Sequence, residues 1–215
     1  MADVNGHLRM GAAGLAIVKA FESCMAAVPG RPGYFKAYVD PVGVLTIGWG
    51  HTNHHEPKFN SSTVWSRAEC DAALARDLAI FEHHVIRNAK VPLKQCEFDA
   101  LVSWAYNTGG PSTASIWTAL NAGNKAIIPA KLDAWNRGGG RVLNGLVRRR
   151  KAEGLLFQGR LAEAYATAQI PLRAVATILP SAPNPPPPDV PPVAPKPPSA
   201  IAAFFAALFS VFRRK

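Results

Sequence analysis

Asp40-Pro41-Val42-Gly43-Val44-Leu45-Thr46-Ile47-Gly48-Trp49 interrupts the otherwise helical rhythm of this 215-residue chain. Asp40, Pro41 and Gly43 stand at the first, second and fourth positions of a β-turn, where a carboxylate cap, a preset φ and a small residue are favoured. Residues 44–49 then read as a strand, and residues 34–39 are expected to be its antiparallel partner. Along the strand Val44, Thr46 and Gly48 share one face. The hairpin therefore sets Asp40 and Thr46 near each other. The ordinary reading of Asp40 is a side chain that caps its own turn. Thr46 alone is a common strand residue.

Outward from this hairpin the patterning is helical. Ser66-Arg67-Ala68-Glu69 is a capping box, followed by Leu74, Leu78, Phe81 and Val85 on one helical stripe. A second helix is expected over residues 94–106, with Phe98, Leu101, Val102 and Ala105 inward and Gly109-Gly110 as its stop. Shorter helices are expected over 114–122, 125–135, 142–157 and 160–169. The predicted class is α+β, with a small β-hairpin sheet beside a mostly helical bundle.

Glu22 follows Leu15 and Val18 at helical spacing, beside Phe21, so its carboxyl shares an apolar face. Desolvation of that kind raises a carboxyl pKa and suits it to donate a proton. The alternative is a helix-end glutamate that bends out to water. If the hairpin faces Glu22 across a cleft, Glu22 and Asp40 make the carboxyl pair that glycoside hydrolysis requires.

Glu22, the stretch Lys36-Ala37-Tyr38-Val39-Asp40-Pro41-Val42-Gly43-Val44-Leu45-Thr46-Ile47-Gly48-Trp49-Gly50-His51-Thr52, the block Gln95-Cys96-Glu97-Phe98-Asp99-Ala100-Leu101-Val102-Ser103-Trp104-Ala105-Tyr106-Asn107 and the block Gly145-Leu146-Val147-Arg148-Arg149-Arg150-Lys151-Ala152-Glu153 together resemble the phage-type lysozymes of glycoside hydrolase family 24, the endolysins or muramidases. The resemblance covers roughly residues 12–160 and implies a lysozyme-like fold. It also implies hydrolysis of the β-1,4 bond between N-acetylmuramic acid and N-acetylglucosamine in peptidoglycan, leading to host cell lysis. Within it Glu22 is the general acid, and Asp40 with Thr46 positions and activates water. That division implies inversion, with the carboxyls about 6.5–9.5 Å apart; about 5 Å would instead favour a nucleophilic Asp40 and retention. The five residues between Asp40 and Thr46 match the family spacing. The 17 between Glu22 and Asp40 exceed it, and Pro29-Gly30-Arg31-Pro32-Gly33 marks the excess as an inserted loop.

Other clusters are weighed against this site. His51, His54, His55 and Glu56, with His83-His84, invite a metal reading, but their spacing fits no standard zinc site; no metal and no cofactor are expected. The resemblance assigns His51 a buried hydrogen bond below the hairpin. Trp49 and Asn107 are the candidate substrate-binding residues, the first by stacking on sugar and the second by pointing into the cleft from a helix end. Core packing is the competing role, and the expected one for most of the aromatic residues. Arg148-Arg149-Arg150-Lys151 point around most of a helix circumference, so they read as a solvated face and no nucleic-acid partner is expected. Cys24, Cys70 and Cys96 are odd in number and lack paired spacing; they read as reduced thiols.

The net charge of +10 draws the chain to polyanions, among them wall polymer and anionic lipid. The first 20 residues carry no signal-peptide pattern, so synthesis in the host cytoplasm is expected, with action on the wall in the periplasm. Residues 1–179 are read as the catalytic domain. Residues 180–198 hold 11 prolines in 19 positions and read as an extended linker, about 60 Å long at about 3.1 Å per residue. Residues 199–215 read as a short amphipathic helix with Ile201, Phe204, Phe205, Leu208 and Phe212 on one face and Arg213, Arg214 and Lys215 at its end. An interfacial anchor on anionic membrane and a segment docking on protein are both open for it. A binding or membrane-active protein that only borrows a wall-targeting domain is the alternative to an enzyme.

Overall fold

A helix that is buried on every side has to be wrapped by others, and residues 97–107 form such a stretch. The computed structural model of the chain describes residues 4–40 and 43–171. In it α3 (Gln95–Thr108) is buried at every position from Glu97 to Asn107. The expected inward set Phe98, Leu101, Val102 and Ala105 is therefore too small. Helices α1 (Ala12–Phe21), α2 (Arg67–Asn88) and α6 (Asn144–Phe157) pack around α3. Further along the chain, α4 (Ser115–Asn121), α5 (Ile128–Asp133) and α7 (Leu161–Ala168) complete the bundle.

The capping box of α2 forms as predicted. The Ser66 hydroxyl accepts from the Glu69 amide, and the Glu69 carboxylate accepts from the Ser66 amide at 2.7 Å. Leu74, Leu78, Phe81 and Val85 are all buried. The start of α1 has no such local device, because Gly11 at its N-cap has no side chain. Asp99 of α3 supplies the missing acceptor: its two oxygens accept from the Gly11 and Gly14 amides at 2.8 and 3.2 Å. A carboxylate at a helix N-terminus satisfies open amides and meets the positive end of the helix dipole.

The β structure departs from the expected single hairpin. Strand β1 (Tyr34–Lys36) pairs with β5 (Val64–Ser66), whereas β2 (Tyr38–Val39) pairs with β3 (Leu45–Ile47), which pairs in turn with β4 (His51–Thr52). The partner changes at Ala37, whose amide donates to Thr63 O. The tight connection after Asp40 brings only Tyr38 and Val39 into register with Thr46 and Leu45. The inserted segment lies along the other edge of β1: Val28 N donates to Tyr34 O, Lys36 N donates to Ala26 O, and Ala27 bridges Phe35. It leaves the Asp40–Thr46 hairpin intact.

Two other boundaries shift. Residues 125–135 split into a 3-10 turn, Lys125–Ile127, and α5. Ahead of α6 a small hairpin forms from β6 (Arg137–Gly138) and β7 (Arg141–Val142), with Gly139 and Gly140 at positive φ between them. The expected linker over 180–198 and tail helix over 199–215 lie outside the described residues.

Candidate active site

Glu22 is not on the helical face that its spacing predicts. It is the C-cap of α1, with φ −101° and ψ 94°, and only its amide continues the helix, donating to Val18 O at 2.9 Å. The turn out of the helix aims the side chain into the bundle. There it is 5% exposed, and Oε1 accepts from Arg149 Nη1 at 2.6 Å. The carboxyl thus has a cationic partner, not the purely apolar surroundings expected. Oε2 faces the turn between β3 and β4: a Cβ placed on Gly50 would stand 3.7 Å from it. Gly50 has φ +90°, a conformation glycine adopts freely.

Behind Glu22 lies a buried ionic network that joins α3 and α6. Arg149 Nε donates to Glu153 Oε1 at 3.1 Å, and its Nη2 donates to Ser103 O at 3.3 Å. Ser103 Oγ donates to Glu153 Oε1 at 2.7 Å. Arg150 Nη2 donates to the same carboxylate and to Asn107 Oδ1, each at 3.0 Å. Two guanidinium groups face two carboxylates, so the charges balance where water cannot screen them. Burial opposes the Arg149 charge, but Glu22 and Glu153 outweigh it and hold that guanidinium above its ordinary pKa. For Arg150 burial dominates over Glu153, and its pKa falls to about 10.

The expected solvated face at 148–151 is thus half wrong. Arg149 and Arg150 are 3% and 0% exposed, while Arg148 and Lys151 are exposed. The buried residues of α6 include Leu146, Arg149, Arg150, Glu153, Gly154 and Phe157, an i, i+3, i+4, i+7 stripe. Glu153 at i+4 from Arg149 and i+3 from Arg150 is the sequence signal that could have exposed the pairing.

Asp40 is buried at the hairpin turn. Its amide donates to Val44 O, its carbonyl accepts from Gly43 N, and its Oδ1 accepts from Val44 N at 2.8 Å. The turn-capping role is therefore real. Thr46 is fully buried on β3, its Oγ1 donating to Val44 O at 3.1 Å, and Tyr38 is its cross-strand partner. Burial first, then the charges of Asp40 and Glu22, push the Tyr38 phenol up to about 12. One side chain thus stands in the field of both carboxylates. Glu22, Asp40 and Thr46 come together around this hairpin. Sequence reasoning had overlooked Tyr38 and Gly50.

Trp49 is half-buried at the edge of the same region. Its Nε1 donates to Asp71 Oδ1 at 2.6 Å, and the Lys19 and Arg67 cations stand 5.3 and 4.8 Å from its ring centre. Asn107 is buried within the ionic network. Trp104 packs edge to face on Trp117 and on Trp135; Trp104 and Trp117 are core residues, and Trp135 is half-buried against that core. His51 makes the expected buried contacts: Nδ1 pairs with the Asp77 carboxylate at 3.0 Å and Nε2 lies 3.0 Å from Pro57 O. Among the described residues no group of three or more His, Cys, Asp or Glu is placed to hold a metal ion.

A family model described as phage lysozyme matches residues 33–153, a span that contains Asp40, Thr46, Arg149 and Glu153; Glu22 precedes it, beyond the inserted segment. The chain is 35% identical over 147 residues to the endolysin of Bacillus phage B103, covering 67% of this chain and 52% of that one. It is 30% identical over 151 residues to the endolysin of Acyrthosiphon pisum secondary endosymbiont phage 1, covering 67% of this chain and 94% of that one. The chain spans about half the length of the Bacillus phage relatives it matches. Among solved structures it is similar to an endolysin from Escherichia coli O157:H7 phage FAHEc1, with TM-score 0.59 and 30% identity over 71% of this chain and 94% of that one. It is also similar to the muramidase domain of SpmX from Asticaccaulis excentricus, with TM-score 0.59 and 28% identity over 70% and 97%. The helical bundle with its small antiparallel sheets is a lysozyme-like fold, as the sequence predicts.

Proposed function

The chain belongs to the phage lysozyme family, and from that premise we propose that it is an endolysin: a muramidase that hydrolyses the β-1,4 bond between N-acetylmuramic acid and N-acetylglucosamine in peptidoglycan. The observation that carries the reading is that Tyr38, the strand neighbour of Thr46, stands in the field of both Glu22 and Asp40. Arg149 holds Glu22 Oε1 and leaves Oε2 toward Gly50. Oε2 is the oxygen that hands its proton to the departing glycosidic oxygen. Asp40 accepts a proton from a water that Thr46 helps to orient, and that water attacks the anomeric carbon from the opposite face as the C–O bond breaks. The product is inverted at that carbon. Trp49 contacts sugar at the edge of the site. Asn107 acts through Arg150 to keep the network aligned.

Glu22→Gln tests the assignment. The variant is expected to keep its circular dichroism and melting behaviour and to lose clearing of purified cell walls. Full clearing would overturn the role of Glu22. Analysis of the new reducing ends identifies the bond cut, and the first anomer detected by NMR reports inversion or retention. Absence of any new reducing end would instead favour a wall-binding module.

For the C-terminal region the support is sequence alone. Residues 180–198 act as an extended spacer, and residues 199–215 lay their phenylalanine face on anionic membrane, with Arg213, Arg214 and Lys215 at the headgroups. Co-sedimentation with anionic liposomes should be lost on truncation at Pro180. Equal pelleting of both forms would rule the membrane role out.

A further inference from the structure

Two of the three cysteines meet beside the candidate site. Cys24 follows Glu22 by two residues, and Cys70 lies in the first turn of α2. Both belong to the small apolar cluster that includes Phe35, Ala37, Ile47 and Trp65. Cys70 is buried, with its Sγ against the backbone of Gly48: a Cβ there would stand 2.9 Å from the sulfur. Cys24 is half-buried, the more exposed of the two. Of the groups around Cys24 the Cys70 thiol acts most on its acidity, and Cys24 acts most on that of Cys70. Arg67, Lys19 and Asp71 are the charged groups that face them. Cys70, opposed by burial and Asp71 and helped by Arg67 and Lys19, lowers the Cys24 thiol pKa. Cys70 is pushed the other way, by Cys24 and by burial. One more exposed, more acidic thiol beside a buried, less acidic one is the division between an attacking and a resolving cysteine. Cys96 stands apart, its thiol directed at Phe157 O.

We propose that Cys24 and Cys70 form a modification site, closing to a disulfide by exchange with a small disulfide oxidant and stapling the segment that follows Glu22 to the start of α2. The Cys24 thiolate attacks one sulfur of the oxidant, and the other leaves as a thiolate. Cys70 then gives up its proton and attacks the Cys24 sulfur, expelling the second half. One disulfide is broken and one is made, and the protons from both cysteines end on two released thiols. The new bond encloses 45 intervening residues, a loop long enough to restrict the unfolded chain strongly.

The test uses the full chain, reduced, freed of reductant and exposed to oxidised glutathione. Intact mass should fall by two hydrogens with no glutathione retained. A non-reducing peptide map should link Cys24 to Cys70, with Cys96 still titratable. The melting temperature should rise by about 5–10 °C over the reduced form, and Cys96→Ser should behave like the parent. Cys24→Ser removes the half-exposed partner, spares the packing of Cys70, and should lose both the link and the shift. A persistent glutathione adduct without the link, a link through Cys96, or an unchanged mass would overturn the proposal. A linked form melting no higher than the reduced one would overturn the staple.

Discussion

Glu22 Oε1 accepts a 2.6 Å hydrogen bond from Arg149 Nη1 across 127 positions of sequence, with both side chains buried. The end of the first helix is thereby tied to the middle of the sixth. Arg149 also reaches Glu153 and Ser103, so Glu22 is held by a group that is itself held.

Arg149→Met should be among the most damaging single changes. It leaves Glu22 and Glu153 with less compensation in a buried site, a change that costs about 3–5 kcal/mol when one member of such a pair is removed. Urea unfolding checks the stability loss. Arg149→Lys keeps the charge but not the fork that spans three partners, and should recover part of the stability while wall clearing stays depressed.

Gly50→Ala separates chemistry from folding. The positive φ costs an alanine about 1–2 kcal/mol, but no atom stands closer to the new methyl group than the 3.7 Å to Glu22 Oε2. The chain should fold and melt only a few degrees lower. Turnover should fall by more than that stability loss accounts for, because the methyl would stand 3.7 Å from Glu22 Oε2, the oxygen proposed to donate the proton.

Gly14 and Gly145 should respond in opposite directions. A Cβ on Gly14 would run into Met10 Sδ and meet Asp99 Cβ at 2.7 Å, and overpacking of that kind costs about 1–3 kcal/mol. Gly145, early in α6, has nothing within 4 Å of its Cβ position. Gly145→Ala should gain up to about 0.5–1 kcal/mol from helix propensity and reduced unfolded-state freedom. Parallel denaturation curves of the two variants decide this.

Asp99 predicts a pH dependence. Burial raises its folded-state pKa, and the Gln95, Gly11 and Gly14 hydrogen bonds only partly offset the shift. An acid more easily protonated when folded gives its largest stability contribution below the unfolded pKa. That contribution declines as pH rises through the folded value. Asp99→Asn should therefore flatten the fall in stability between about pH 4 and neutrality, while lowering stability at acid pH through the lost cap on α1. Urea midpoints across that range measure both effects.

Local chemistry made much of this fold legible. The Ser66–Glu69 box, the Leu74–Val85 stripe and the Asp40–Gly43 turn are interactions among residues a few positions apart, and each formed as read. The division of residues 34–39 between two sheets was not legible, because β5 and β3 compete for one strand and only their positions in space decide the outcome. The Asp99 cap on Gly11 escaped for the same reason.

The sequence by itself determined the α+β class, the hairpin bearing Asp40 and Thr46, and the identity of Glu22 as a candidate acid, since periodicity, turn chemistry and motif spacing are written along the chain. The tertiary structure alone decided how Glu22 is held. Helical spacing placed it on an apolar face, yet it leaves α1 as a C-cap and turns to Arg149. It decided too that Arg149 and Arg150 lie inside while Arg148 and Lys151 stay outside. A run of four cations carries no local mark of which are buried. Burial of a charge depends on a counter-charge arriving from elsewhere, and here Glu22 on α1 arrives only once the helices have packed around α3.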